Sequence, residues 1–248
     1  MNDIPEIDNS QSISAIMESA FGYWKKTLGV QVLFSVIYFG LFMVFAMALF
    51  QYFGLMDDME KFRNMDLGDL KAIAKLSEEL AQKKEMQYFA LCIVIVKALL
   101  FPLNIGFYKI YQKIDQGLGY NVSDLFAGFQ GSYFFKFFGY ALFWGMIYSF
   151  TNNIPMVLPL IWILVTLLIT PIMYFQNTNI IESLKLNFSV LKSHFLTFFV
   201  CVIVAGLFSY AGVLLFGIGY LLTFPFWNAM IYAMYKALVE HKTIEVIQ

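Results

Sequence analysis

Charge is what this chain has least of. Aspartate, glutamate, lysine and arginine make up 13% of its 248 residues, against roughly 25% in a soluble domain. The net charge is −1, so there is no broad basic surface to attract nucleic acid. Histidine and cysteine are almost missing, being limited to His194, His241, Cys92 and Cys201. A zinc centre needs three or four such ligands converging, so no metal, haem or other cofactor is expected, and His194 reads as an interfacial anchor. Both cysteines lie inside apolar runs and read as small buried hydrophobes rather than as a disulfide. No phosphate-cradling GxxxxGK[ST] loop occurs. The opening "MNDIPEIDNSQS" is polar and acidic, unlike a secretory signal, so the first spanning segment is expected to direct insertion.

Apolar residues fill the space. They are 60% of the chain, with 28 Phe and 15 Tyr, and the solvent they suit is lipid. A membrane-crossing helix needs about 20 mostly apolar residues. Six stretches qualify: Leu28–Phe53, Tyr88–Tyr108, Phe137–Phe150 (short, but extended at the interface by Phe134 and Phe135), Ile154–Phe175, Phe195–Phe216 and Tyr220–Leu238. They are continuous rather than alternating, which selects helices over a barrel. Reversals are expected at Asn152–Pro155 and at Gly217. The fold class is therefore an all-α, polytopic membrane bundle of six spans in a single domain.

Three amphipathic stretches lie between the spans. Ile13, Ile16, Met17, Ala20, Phe21 and Trp24 share a helical face, as do Leu125, Phe126 and Phe129, and then Ile181, Leu184, Phe188 and Leu191. Each is too short and polar to span, and is expected to lie in the headgroup plane with that face in lipid. They end at Lys25 and Lys26, at Lys136, and at Lys192 with His194. A spanning helix follows each, then a return helix with a proline phrase: "LLFPL" (Pro102), "LLITP" (Pro171) and "LLTFPF" (Pro225). The order reads as a threefold hairpin repeat. The first hairpin carries an insertion at 54–87, expected to be a water-exposed helix with Leu70, Ile73, Leu76 and Leu80 in a stripe and Glu79 paired to Lys83. Lysines outside that insertion all fall on the side of the termini, Lys97 excepted, which makes that side cytoplasmic.

Two features could bind something. Lys97 lies about ten residues into the second span, where a charge costs on the order of 3 kcal/mol. It either snorkels to the headgroups or forms an anion or lipid-headgroup site, and no acid in any span is available to pair with it. A proline leaves the carbonyl one turn earlier without its donor. Asn104, Tyr174 and Asn228 follow the three prolines closely, and Thr170 and Thr223 precede two of them. These groups are either glue between helices or the lining of a polar pocket. Glu18, Asp124 and Glu182 occupy matching places near the amphipathic segments and read as helix-dipole partners rather than catalytic acids.

The runs "NIGFYKIYQKIDQGLGYNVSDLFAGF" (104–129), "NIIESLKLNFSVLKSHFL" and "LLFGIGYLLTFPF" (214–226) resemble a group of bacterial integral membrane proteins. That group includes six-helix proteins and the membrane domains fused ahead of glycerophosphodiester phosphodiesterases. Its marks here are Gly106, Gly117, Asp124, Leu125, Phe126, Gly128 and Phe129, then Glu182 and Ser183, then Gly217, Gly219 and Pro225. The resemblance implies a helical bundle with interfacial helices and brings no catalytic residues. The expected role is a non-enzymatic scaffold or accessory component of the bacterial cytoplasmic membrane, in contact with lipid and other membrane proteins. The alternative is a carrier or lipid-binding protein, anionic lipid included, using Lys97, Asn104, Tyr174 and Asn228.

Overall fold

The computed structural model describes residues 9–66, 68–151, 157–214 and 217–240. The expected reversal at Asn152–Pro155, His241 and the polar N-terminal residues 1–8 lie outside them. Among the described residues the chain is all-helical, without a strand. The helices are α1 Asn9–Lys26, α2 Leu28–Tyr52, α3 Met56–Arg63, α4 Leu70–Gln82, α5 Lys84–Leu100, α6 Pro102–Asp115, α7 Ser132–Thr151, α8 Val157–Thr166, α9 Ile169–Phe175, α10 Ile180–Ser193, α11 Phe195–Ala211, α12 Tyr220–Thr223 and α13 Phe226–Tyr235. A 3-10 segment, Val122–Phe129, precedes α7.

Among the described residues, four helical runs are long and apolar enough to cross a membrane: Leu28–Tyr52, Lys84–Asp115, Leu158–Phe175 and Phe195–Leu214. Helix α7 has the length, but Lys136, Tyr133, Tyr140 and Tyr148 dilute its apolar character. The last segment is interrupted between α12 and α13, and α13 is the most enclosed element. Every residue of α13 but Trp227 is buried, from Phe226 to Tyr235. It packs on α1, α6, α9 and α11, so it acts as the central post of the bundle. The reversal at Gly217 forms with φ +77°, a left-handed conformation that glycine alone adopts at no steric cost.

The helical runs are interrupted at the three prolines, the positions where kinks are expected from the sequence. Pro102 is the first residue of α6, Pro171 lies in the first turn of α9, and Pro225 directly precedes α13. A first-turn residue has no helical partner for its N–H, so proline there forfeits nothing. The return segments are thus helices that stop and restart, with the proline opening the second part.

The amphipathic segments depart from expectation. The apolar stripe of α1 does not face outward: Ile16 and Ala20 are fully buried, and Phe21 packs on Phe208 and Phe226. A 3.6-residue stripe identifies a face that avoids water, and here a protein surface takes the place of lipid. The second segment is 3-10 rather than α, and Lys136, expected at its end, lies inside α7. The 3-10 segment and α10 both turn apolar residues outward, Phe126 and Phe129 in the first and Ile181 and Phe188 in the second, while Leu125, Ser183 and Asn187 face in.

The insertion holds two helices, α3 and α4, where one was expected. Lys83 leaves Glu79 for the buried Asp58, at 2.7 Å, and Glu79 meets Lys75 instead. Hydrogen bonds from Lys83 and Lys61 hold the Asp58 carboxyl below its ordinary pKa.

Candidate functional site

Each helix restart exposes backbone carbonyls, and side chains from distant helices answer most of them. The carbonyl one turn before Pro225, that of Leu221, accepts from Ser35 Oγ at 2.7 Å. Its neighbour Leu222 accepts from Trp24 Nε1 at 2.9 Å. Ser35 and Gln31, the first polar interruptions of α2, are both buried, and Gln31 donates to Thr27 and to the Trp24 carbonyl. The break between α8 and α9 belongs to Asn187. Its Oδ1 accepts from the Leu168 N–H at 3.0 Å, and its Nδ2 donates to the Leu164 and Val165 carbonyls. Asn187 is fully buried, so no water can replace it.

A measurable consequence follows. Asn187→Leu removes that clamp while keeping the volume. An average interhelical hydrogen bond in a membrane is worth about 0.6 kcal/mol and the strongest about 1.7. Three contacts to one unpaired stretch of backbone place the loss at about 1–2 kcal/mol, read as a lower unfolding midpoint in detergent titration. An unchanged midpoint would show that the break satisfies itself.

Where the three return segments meet, they line a partly open cavity of about 200 Å³. The first contributes Asn104 and Tyr108, the second Thr166 and Thr170, and the third Trp227 and Asn228, with Tyr140 of α7 closing one wall. Asn228 Nδ2 donates to Asn104 Oδ1 at 3.1 Å, and Asn104 Nδ2 donates to the Phe101 carbonyl at 3.1 Å. The hydroxyls of Tyr108 and Thr170 bond at 2.8 Å. None of the lining residues is charged. An apolar cleft of about 510 Å³ adjoins, sharing Ile163 and Trp227 with the cavity. Its other walls include Ile203, Leu207 and Tyr210, all on the outer surface.

Of the residues singled out from the sequence, Asn104, Asn228 and Thr170 line the cavity together and the others do not. Lys97 points outward, away from the cavity. Tyr174 stands one turn beyond Thr170, stacked among Tyr133, Phe137 and Tyr108, and lines none of the cavity. Thr223 bonds to the Ser209 carbonyl on α11. Tyr108, Thr166, Tyr140 and Asn187 are the polar groups missed. Tyr108 had a signal, since it is four residues after Asn104 on the same helical face.

The acids lie elsewhere. Glu182 caps α10 through the Asn179 N–H, and Glu18 is exposed. Asp124 is buried, bonded by Lys113 at 2.7 Å, by Lys109 at 3.3 Å and by the Asn121 N–H. It is an ion-pair centre, not the polar-face residue expected. Asp115 gathers Tyr23, Tyr232 and Lys236, which ties together the ends of α1, α6 and α13. Among the described residues no three His, Cys, Asp or Glu side chains are grouped to hold a metal.

Comparison with protein-family models, with curated proteins and with solved structures gives no match for this chain. The chemistry of the cavity has to stand on its own.

Proposed function

We propose that this chain is a six-span protein of the bacterial cytoplasmic membrane that binds a neutral amphiphile, with its polar head in the cavity of Asn104 and Asn228. The observation that carries the reading is the meeting of uncharged hydrogen-bonding groups from all three return segments around one partly open hollow. A volume near 200 Å³ corresponds to about six waters, at roughly 30 Å³ each. That admits a small head group. A charged head would be buried without a partner, at a cost of several kcal/mol, so carboxamides and hydroxyls select a neutral one. The adjoining apolar cleft, with Trp227 as the shared wall, provides for a hydrocarbon tail and for lateral entry from lipid.

The same proposal includes three hairpin repeats, each opened by an amphipathic segment, and kinship with the six-helix bacterial membrane proteins. Supporting the repeats are the three proline-opened restarts at corresponding places. Supporting termini on one cytoplasmic face is the Asp115 cluster, where Tyr23 and Lys236 meet. A non-enzymatic scaffold is the second reading, favoured by the carbonyls that Ser35, Trp24 and Asn187 already satisfy.

Lipid extracts of the purified full chain distinguish the two. The binding reading expects one neutral lipid class retained near one per protein. Asn228→Leu then loses it about tenfold, the equivalent of roughly 1.4 kcal/mol. Extracts that match the bulk membrane in both proteins would leave the scaffold.

A further inference from the structure

A separate and larger hollow, about 710 Å³, lies where α7 faces the end of α9 and the start of α10. Its two ends differ in chemistry. Gly139, Tyr140 and Phe143 of α7 form an apolar trough, with Ile181 across from them. Phe135, Phe143 and Ile181 are 75%, 52% and 65% exposed, so the trough opens to the outside along its length. Lys136 stands at its polar end.

Among the described residues, Lys136 has hydrogen-bond partners but no countercharge. Its Nζ donates to the Met173 carbonyl at 2.9 Å and to Asn177 Oδ1 at 3.2 Å, both neutral. An ammonium group has three N–H donors, which leaves one to spare. No acid lines the hollow, and Glu182, the acid nearest to it along α10, is engaged in capping its own helix. Asn177 holds its place with φ +51°, a left-handed conformation that asparagine tolerates better than most residues.

We propose that this hollow is a groove for an anionic phospholipid, its phosphate on Lys136 and one acyl chain along Gly139 and Phe143. Charge complementarity decides the occupant. An uncompensated cation at the head of an apolar, laterally open trough matches a lipid that carries one negative charge and a chain. A zwitterionic lipid brings its own cation to the same place and gains less. The groove meets the neutral cavity at Tyr140, which lines both, but that cavity's lining holds no charge, and a test that reads Lys136 does not depend on that reading.

The full chain in zwitterionic nanodiscs, doped with fluorescent phosphatidylglycerol, provides the assay. A lysine beside anionic lipid contributes about 1 kcal/mol, so Lys136→Gln is expected to weaken phosphatidylglycerol binding about fivefold. Lys136→Arg should stay near the wild-type value and so serves as the control for folding. Gly139 has open space where a side chain would grow, so Gly139→Leu fills the trough without disturbing the bundle. It is expected to lose the lipid although Lys136 remains. Glycerol 3-phosphate and inorganic phosphate should fail to compete, because they have no chain. Equal binding by wild type and Lys136→Gln would overturn the proposal. So would equal affinity for phosphatidylcholine, or displacement of the lipid by inorganic phosphate alone.

Discussion

Gly106→Val is expected to abolish the folded protein, with Gly128→Ala close behind it. Helix α6 lies directly against the 3-10 segment Val122–Phe129, backbone on backbone. A Cβ on Gly106 would fall inside the van der Waals shell of the Leu125 carbonyl and Cα. A Cβ on Gly128 would strike the Pro102 carbonyl and the Ile105 side chain. These are main-chain atoms of packed elements, so no rotamer change relieves the clash and the segment must move away. Overpacking typically costs 1–3 kcal/mol and occasionally more. Valine at Gly106 belongs at the upper end, about 3 kcal/mol or above, because the displaced segment also carries Asp124 out of reach of Lys109 and Lys113. The readout is the yield of monodisperse protein and the unfolding midpoint in detergent. Gly29→Ala is the control, since nothing lies within 4 Å of its missing Cβ. A Gly106→Val protein with the wild-type midpoint would show that the two backbones are not in contact.

Helicity, the turn at Gly217 and the places where the return segments break are all local matters, and local signals reveal them. Long apolar runs, one glycine between apolar residues and three prolines are enough. What a surface faces is a different kind of fact. The stripe of α1 and the outward residues of α10 obey the same periodicity, yet one meets Phe226 and the other meets solvent or lipid. Only the rest of the fold decides that. Ser35 illustrates the distance involved: its partner is the Leu221 carbonyl, 186 residues away.

The lysines show how this affects a site. Lys97 draws attention because of its depth in an apolar run, but the turn of α5 places it on the outer face. Lys136 reads as the end of an interfacial helix, and becomes the head of a groove because α9 and α10 bring up Met173 and Asn177. Tyr174 misses the cavity by one turn of helix. Thr170, four residues before it, faces in, while Tyr174 is shifted onto the wall of Tyr133 and Tyr108. Asn104 and Asn228 were recoverable because each follows its proline within the first turn of the restarted helix, two and three residues on.

Asp124→Asn is the second large effect, and its signature is a pH dependence. Burial raises the pKa of the Asp124 carboxyl, but hydrogen bonds from Lys113, the Asn121 N–H and Lys109 outweigh burial and bring it below the ordinary 3.8. A carboxyl with a depressed pKa binds its proton less readily folded than unfolded. Its stabilisation is therefore complete above the unfolded value, near 3.9, and is lost as pH falls through the lower folded value. Removing one partner of a fully buried pair costs about 3–5 kcal/mol. Lys109 and Lys113 are 31% and 26% exposed, so water supports them when Asp124 is neutralised, and about 2–3 kcal/mol is expected at pH 7. Asp58 is depressed in the same direction and titrates in the same range, which makes the wild-type curve alone ambiguous. The difference between wild type and Asp124→Asn removes that contribution. It should be flat from pH 7 down to about 4 and then shrink as the solution is acidified, the two proteins converging in acid. A difference that stays constant through that range would mean that Asn disturbs the packing of the 3-10 segment on α6, not the ion pair that anchors it.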